Sequence, residues 1–172
     1  RGNINTYYPD AKSVVSVGMN YYTGKNQNDL ESDYKFSNYA WGEDYHHVLK
    51  KKLFKLSRWL EKFCPESKNI VCVDTSPVME KVWAQRSGIG WIGKHTLHIR
   101  GSKGSYHFLG ELLTNIPLNA SGSASTNHCG SCTRCIEICP TQAIVGPYQL
   151  DARKCIAYLT IEHQGAIPEE LR

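Results

Sequence analysis

Beyond Asp44, apolar residues recur at steps of three and four, at Val48, Leu49, Leu53, Leu56, Leu60 and Phe63, while Lys50, Lys51, Lys52, Lys55 and Arg58 fall largely between them. A period near 3.6 residues marks a helix with one buried face, so the chain is expected to be helical from Asp44, its cap, to about Phe63. Two shorter stretches have a different rhythm. Ser13 to Met19 is a β-branched run after the turn-forming pair Pro9 and Asp10, and Asn69 to Val73 is a second short apolar run; both predict buried strands. Pro77 suits the first turn of another helix, with Glu80 near the positive end of its dipole, Val78, Val82 and Trp83 facing inward and Gly88 closing it. Thr96 to Ile99 and Ser105 to Leu113 read as two strands joined by a turn through Gly101 to Gly104, and Asp151 to Glu162 as a last helix carrying Cys155.

The polar stretches complete this picture. Gly24 to Ser37 carries Asn26, Asn28, Asp29 and Asp33 and reads as a surface loop, equally compatible with a lid over a site. Asn119 to Asn127 is small and polar, a linker. Asn20, Tyr21 and Tyr22 follow the first strand at its carboxyl end, where ligands gather in α/β sheets, although paired tyrosines there more often pack. His46 and His47 stand in the first turn of the long helix, a position typical of surface histidines, and the lysines of that helix form a solvated face.

Gly88 to Lys94 places three glycines around Ile89, Trp91 and Ile92. The spacing is neither that of a dinucleotide fingerprint nor that of a phosphate loop. It leaves backbone open to a flat ligand between apolar walls, or simply forms a turn. Asp74 falls where the second strand ends, and its position alone suits a helix cap.

Composition narrows the class. The chain has 172 residues, 41% hydrophobic and 21% charged, which is ordinary for a globular protein with one core and a small appendage. No apolar run approaches the roughly 18 residues of a membrane span and no signal peptide is visible. The net charge of +4 permits a polyanionic partner without requiring one.

Cysteine arrangement is the strongest chemical signal. Four of the seven cysteines lie in Cys129 to Pro140, spaced C-x2-C-x2-C-x3-C-P. This is the bacterial ferredoxin run, in which three close thiolates hold one iron-sulfur cube and the fourth, ahead of proline, points to another. Zinc sites usually pair two distant C-x2-C units, and a disulfide framework has no need of four thiols so close together. Such clustering fits a reducing compartment. Two cubes call for eight ligands, whereas Cys155 is the one further plausible ligand after Cys139, since Cys64 and Cys72 lie far upstream. With Arg1 rather than Met at its start, the chain is expected to be a fragment cut at both ends.

Several separated segments agree with one family. Val73 to Glu80 (Val-Asp-Thr-Ser-Pro-Val-Met-Glu), Gly90 to Thr96, Phe108 to Glu111, the Cys129 to Thr141 run, Leu150 to Glu162, and upstream Tyr39 to His46 together resemble epoxyqueuosine reductase. The resemblance implies an α+β fold: a nitroreductase-like, reductive-dehalogenase-like, cobalamin-binding α/β layer over residues 1–118, then a bacterial ferredoxin-like 4Fe-4S module over 119–172. It implies reduction of epoxyqueuosine to queuosine in a tRNA anticodon, with cobalamin at the active site and two 4Fe-4S clusters relaying electrons. Asp74 corresponds to the family's proton donor, an acid whose pKa burial beside the corrin would raise. Asp74, Trp91, Gly93, Lys94, His95, Leu109, Gly110 and Tyr158 fall in segments that line the corrin, and Ser37 falls near a position approaching the cobalt face. Cys129, Cys132 and Cys135 would hold the nearer cube; Cys139 and Cys155 would serve the second.

The partners implied are tRNA and an unidentified low-potential electron donor; a cytoplasmic monomer with no membrane association is expected. Two other readings share part of this evidence. A dehalogenase-like corrinoid reductase has the same clusters and fold but is usually exported by a twin-arginine signal. A non-catalytic ferredoxin-type carrier would need neither Asp74 at a strand end nor the glycine-rich apolar loop. Corrin binding separates the carrier from the reductases, and turnover of epoxyqueuosine tRNA separates the two reductases.

Overall fold

The computed structural model describes residues 3–29, 31–122 and 124–172. Leu30, in the expected surface loop, and Ser123, in the expected linker, lie outside the described residues.

A three-stranded sheet forms the centre. Strands β1 (Ser13–Asn20) and β2 (Asn69–Cys72) both pair antiparallel with β5 (His107–Thr114), which lies between them, Ser13 and Asn69 each facing Thr114. The middle strand must be apolar on both faces, because both are covered. Leu112 and Leu113 on adjacent, opposite-facing positions are each fully buried. Helix α2 (Tyr45–Phe63) covers one face through Leu49, Leu53 and Leu60, which meet Val73 and Leu112. The other face receives α1 (Ile4–Tyr7) and α3 (Glu80–Arg86), where Ile4, Tyr8, Cys72 and Leu113 form a second core with Val78 and Trp83 against it. Each large aliphatic side chain buried in these layers stabilises the fold by about 1.5–3 kcal/mol.

The long helix and the first two strands fall where their apolar periods place them. Asp44 caps α2 by accepting the His46 N–H at 2.9 Å, as its side-chain chemistry predicts. Three other expectations are corrected. The helix after Pro77 starts only at Glu80, because Thr75 N–H bonds to Val73 O and Val78 N–H to Ser76 O, both at 2.7 Å, and these tight turns occupy the segment first. Strand β4 (His98–Ile99) does not form a hairpin with β5; it pairs with β3 (Trp91–Ile92), since Gly90 lets the chain pass against the Ile99 carbonyl, where a Cβ would lie 2.0 Å from its oxygen. The Asp151 to Glu162 segment is two pieces: a 3-10 turn, Ala152–Lys154, and α5 (Ile156–Ile161), with Cys155 extended between them at ψ 124°.

After the linker come the short helix α4 (Arg134–Glu137) and a small ribbon of β6 (Ile144–Gly146) with β7 (Gln149–Leu150). This cysteine-bearing part is tied to the glycine-rich loop. Tyr148 N–H donates to Lys94 O at 2.8 Å, and Lys94 Nζ donates to the carbonyls of Gly130 at 2.7 Å and Cys132 at 2.9 Å. Among the described residues no helix is long and apolar enough to cross a membrane.

Candidate functional site

Asp74 sits one residue beyond the fully buried Val73, at the carboxyl end of β2, with φ +56°, a left-handed backbone that few residues other than glycine adopt. That turn throws its carboxylate toward the start of α2. Asp74 Oδ2 accepts from Tyr45 Oη at 3.0 Å and lies 3.0 Å from His46 Nε2, whose Nδ1 is 2.8 Å from Asp44 Oδ1. Asp74 Oδ1 has no protein partner among the described residues. The imidazole is therefore braced between two carboxylates, with Tyr45 stacked on it and on Phe108, each at 4.0 Å between ring centres. Burial works against a charge on His46, but its hydrogen bonds to Asp74 and Asp44 outweigh that and hold its pKa above the ordinary value.

These groups line a cavity of about 490 Å3 whose other walls include Tyr21, Tyr39, Lys81, Leu97, Phe108 and Leu109, with Ile161 and Glu162 from the far end of the chain closing one side. His98 and His107 also face it. Their rings meet through His98 Nδ1 and His107 Nε2 at 2.9 Å, while His98 Nε2 and His107 Nδ1 are buried and unpartnered. Burial, followed by the neighbouring His107 and Lys81, pushes His98 down to about 4, so it is neutral at physiological pH.

Behind Asp74 lie two more acids. Glu80 Oε1 accepts the Asp74 N–H at 2.5 Å, and burial raises the Glu80 pKa despite that bond. Glu111, on β5, is wholly buried with neither carboxyl oxygen hydrogen-bonded; burial, and then the charge of Glu80, pushes its pKa up to about 9.

A second cavity, of about 320 Å3, opens under the cysteine run. Cys135, Cys139 and Cys155 line it together with His95, Ile138, Ile144, Leu150 and Ile156. The Cys139 thiol is shifted toward its thiolate, chiefly by the Ile144 N–H, with those of Ala143 and Thr141 adding to it. A sulfur so supplied with donors, beside two more cysteines and an apolar wall, fits a cluster ligand. The thiolates of a cube reach different irons, so no convergence on one point is needed; among the described residues none of three or more such groups occurs.

The residues expected to line a corrin divide. Asp74 and Leu109 face the larger cavity. His95 faces the cysteine cavity, and Lys94 holds the cysteine loop. Trp91 turns its ring edge-on to His128, 4.8 Å away. Gly93 makes room for Ile99 and His95, and Gly110 for Leu49 and Leu53, where a Cβ would lie 3.1 and 3.0 Å from their methyls. Ser37 is exposed at the head of the 3-10 turn Asn38–Ala40, next but one to the cavity-lining Tyr39, and Tyr158 lies beside His163 at 6.2 Å between ring centres. The Asp74 side chain is 56% exposed at the cavity mouth. Tyr45 and His46 were not expected as functional groups; the signal for them is the Tyr39 to His46 segment, read with the strand end at Asp74.

Fold and site together define an α/β protein whose larger cavity holds Asp74 and whose C-terminal part carries clustered cysteines. Residues 1–75 match the family described as epoxyqueuosine reductase QueG, DUF1730, and residues 128–172 match the 4Fe-4S double cluster binding domain. The epoxyqueuosine reductase of Synechocystis is 50% identical over 167 residues, 97% of this chain and 57% of that protein. A solved epoxyqueuosine reductase bound to an epoxyqueuosine-modified tRNA-Tyr stem loop superposes with a TM-score of 0.87 at 35% identity, over 96% of this chain and 44% of that one. The Bacillus subtilis enzyme, solved with its catalytic aspartate loop swung out of the active site, gives 0.86 at 32%, over 96% and 44%. The chain belongs to the epoxyqueuosine reductase family. It spans about half the length of the curated relatives it matches.

Proposed function

We propose that the complete protein reduces epoxyqueuosine in a tRNA anticodon to queuosine, with Asp74 delivering a proton to the departing oxygen. The single observation carrying this is the placement of Asp74. Its carboxylate is exposed to a large cavity, one oxygen is held by Tyr45 and His46, and the other is left to face a ligand. Converting an epoxide to an alkene removes the oxygen as water and takes two electrons and two protons. Carbon-oxygen cleavage is slow unless the leaving oxygen is protonated as the bond breaks. His46 Nε2 lies 3.0 Å from Asp74 Oδ2, so a proton on that nitrogen would stand in hydrogen-bond contact with the acid.

The division into a nitroreductase-like layer at 1–118 and a cluster module at 119–172 suits the two cavities. The larger, broad and walled by Tyr21, Tyr39, Phe108 and Leu109, fits the face of a flat corrin, and cobalamin bound there would supply low-potential cobalt to the substrate. Leu109, Asp74 and the aromatic walls would contact it, while Trp91, Gly93, Lys94, His95, Gly110, Ser37 and Tyr158 act at one remove, shaping the walls and joining them to the cysteine loop. Cys129, Cys132 and Cys135 would hold one cube, and Cys139 and Cys155 would contribute to another; the cavity that Cys135, Cys139 and Cys155 line together supports cluster binding in this module. The relative bound to a tRNA stem loop supports tRNA as the partner. The sequence-based expectations of a cytoplasmic monomer and a separate low-potential donor complete this reading.

Anaerobic turnover of an epoxyqueuosine stem loop by the complete protein is the test. Asp74→Asn should keep iron and corrin content and lower turnover by about 10²–10⁴-fold, the usual contribution of a positioned acid. Undiminished turnover would remove Asp74 from the reaction.

A further inference from the structure

Glu80 is an unusual carboxylate. It opens α3, where an acid ordinarily sits against free helix amides, yet its one hydrogen bond among the described residues goes back to the Asp74 N–H at 2.5 Å. Among the described residues no cation forms an ion pair with it, and the charged groups around it are of both signs: Asp74 at the end of β2 and Glu111 on β5, against His46 on α2 and Lys81 beside it on α3. Largely withdrawn from water, it gains nothing from burial itself. What the bond does secure is the Asp74 backbone. At φ +56° this peptide is in a conformation that side chains disfavour. Its flanking turn is pinned by bonds that leave the Asp74 amide free, Thr75 N–H to Val73 O and Val78 N–H to Ser76 O.

We infer that Glu80 is a positioning residue that latches the Asp74 turn, keeping the Asp74 carboxylate on Tyr45 and His46 with its second oxygen toward the cavity. The inference deepens the reading of Asp74 given above and rests on it for its functional consequence, though not for the latch itself. Glu80 touches no reacting atom; it acts through the direction of one peptide N–H. Gln at this position keeps an oxygen acceptor of the same reach, Asp keeps the charge but is one methylene too short, and Ala removes the acceptor.

The experiment compares Glu80→Gln, Glu80→Asp and Glu80→Ala in the complete cofactor-loaded protein by two measurements: amide hydrogen exchange over Val73 to Met79, and kcat and KM for an epoxyqueuosine stem loop. A charge-assisted hydrogen bond of this kind is commonly worth about a factor of ten or more. Ala and Asp should therefore exchange the Asp74 amide about tenfold faster and lower kcat about tenfold, with KM within about twofold. Gln should recover both exchange protection and most of kcat. Unchanged exchange in Ala and Asp, or Gln exchanging as fast as Asp, would overturn the latch. Should Ala fail to fold, Asp against Gln makes the same comparison. Wild-type protein that exchanges slowly at Asp74 but does not turn over the stem loop would refute the proposed function and leave the latch standing.

Discussion

Asp74 and Glu111, both acids, stand in opposite surroundings. The first is exposed and hydrogen-bonded; the second is sealed between β1, β2 and α3 with no partner for either oxygen. An isolated carboxylate in such a site is so costly that the group holds its proton instead. Its folded pKa of about 9 lies above the ordinary 4.5, so the unfolded chain gives up this proton first as pH rises. Stability from this group is complete below pH 4.5 and drains away as pH climbs toward 9, by about 2–3 kcal/mol between pH 5 and 7. Glu111→Gln, which copies the protonated form, should match wild type near pH 5 and be the more stable by about that amount at pH 7. Denaturant titrations at several pH values measure the difference; equal pH slopes would show that Glu111 is ionised in the fold. At this scale sequence reading singles out Asp74 from its place at a strand end but misses Tyr45 and His46, because a first-turn histidine is ordinary until a distant carboxylate is folded onto it. The buried state of Glu111 is not legible, since nothing in Leu109 to Leu113 says that both faces of the strand are covered.

Elements with a clear apolar signature are legible in the sequence. α2 follows from 3.6-residue spacing, and β1, β2 and β5 from their β-branched or apolar runs. Where the reading fails, a competing contact, near or far in the chain, overrides the propensity. Pro77 favours a helix start, but the Asp74 turn uses the residues that would form its first coil. Gly101 to Gly104 favours a hairpin, but the preceding strand is drawn to Trp91 and Ile92 because Gly90 alone lets the backbones close. That makes Gly90 the testable position of the ribbon. A Cβ there would lie 2.0 Å from Ile99 O and 2.8 Å from His98 Cε1, distances that backbone must yield to relieve. Gly90→Ala should cost about 2–3 kcal/mol of stability in the complete protein, in line with other overpacked sites. Gly42→Ala, with nothing within 4 Å, should stay within about 0.5 kcal/mol. Thermal or denaturant unfolding distinguishes the two, and a neutral Gly90→Ala would mean that the β3–β4 ribbon is not what the glycine-rich loop is built for.

At the scale of the whole chain, the glycine-rich loop is the joint between the α/β layer and the cysteine module. Lys94 carries most of that joint, since its ammonium is shared between the Gly130 and Cys132 carbonyls, inside the loop that bears Cys129, Cys132 and Cys135. Gly130 holds a left-handed turn there at φ +48°; Cys132 N–H donates to Cys129 O at 2.9 Å and Cys129 N–H to Asn127 Oδ1 at 2.8 Å, and the Lys94 bonds add to these in orienting the three sulfurs. In the fold Lys94 is a strut from the glycine-rich loop to the cysteine loop. Lys94→Met keeps the aliphatic stem and removes the donor. It should leave the β1-β5-β2 core intact by circular dichroism, with a loss of no more than about 1–3 kcal/mol, while lowering iron and sulfide per chain after anaerobic purification. Cys139→Ser is the counterpart, removing a sulfur without touching the strut, and should lower iron content with no change in exchange protection of the Cys129 to Cys132 loop. If Lys94→Met retains full iron and the same loop protection, the cysteine loop orients itself and the joint has only a packing role.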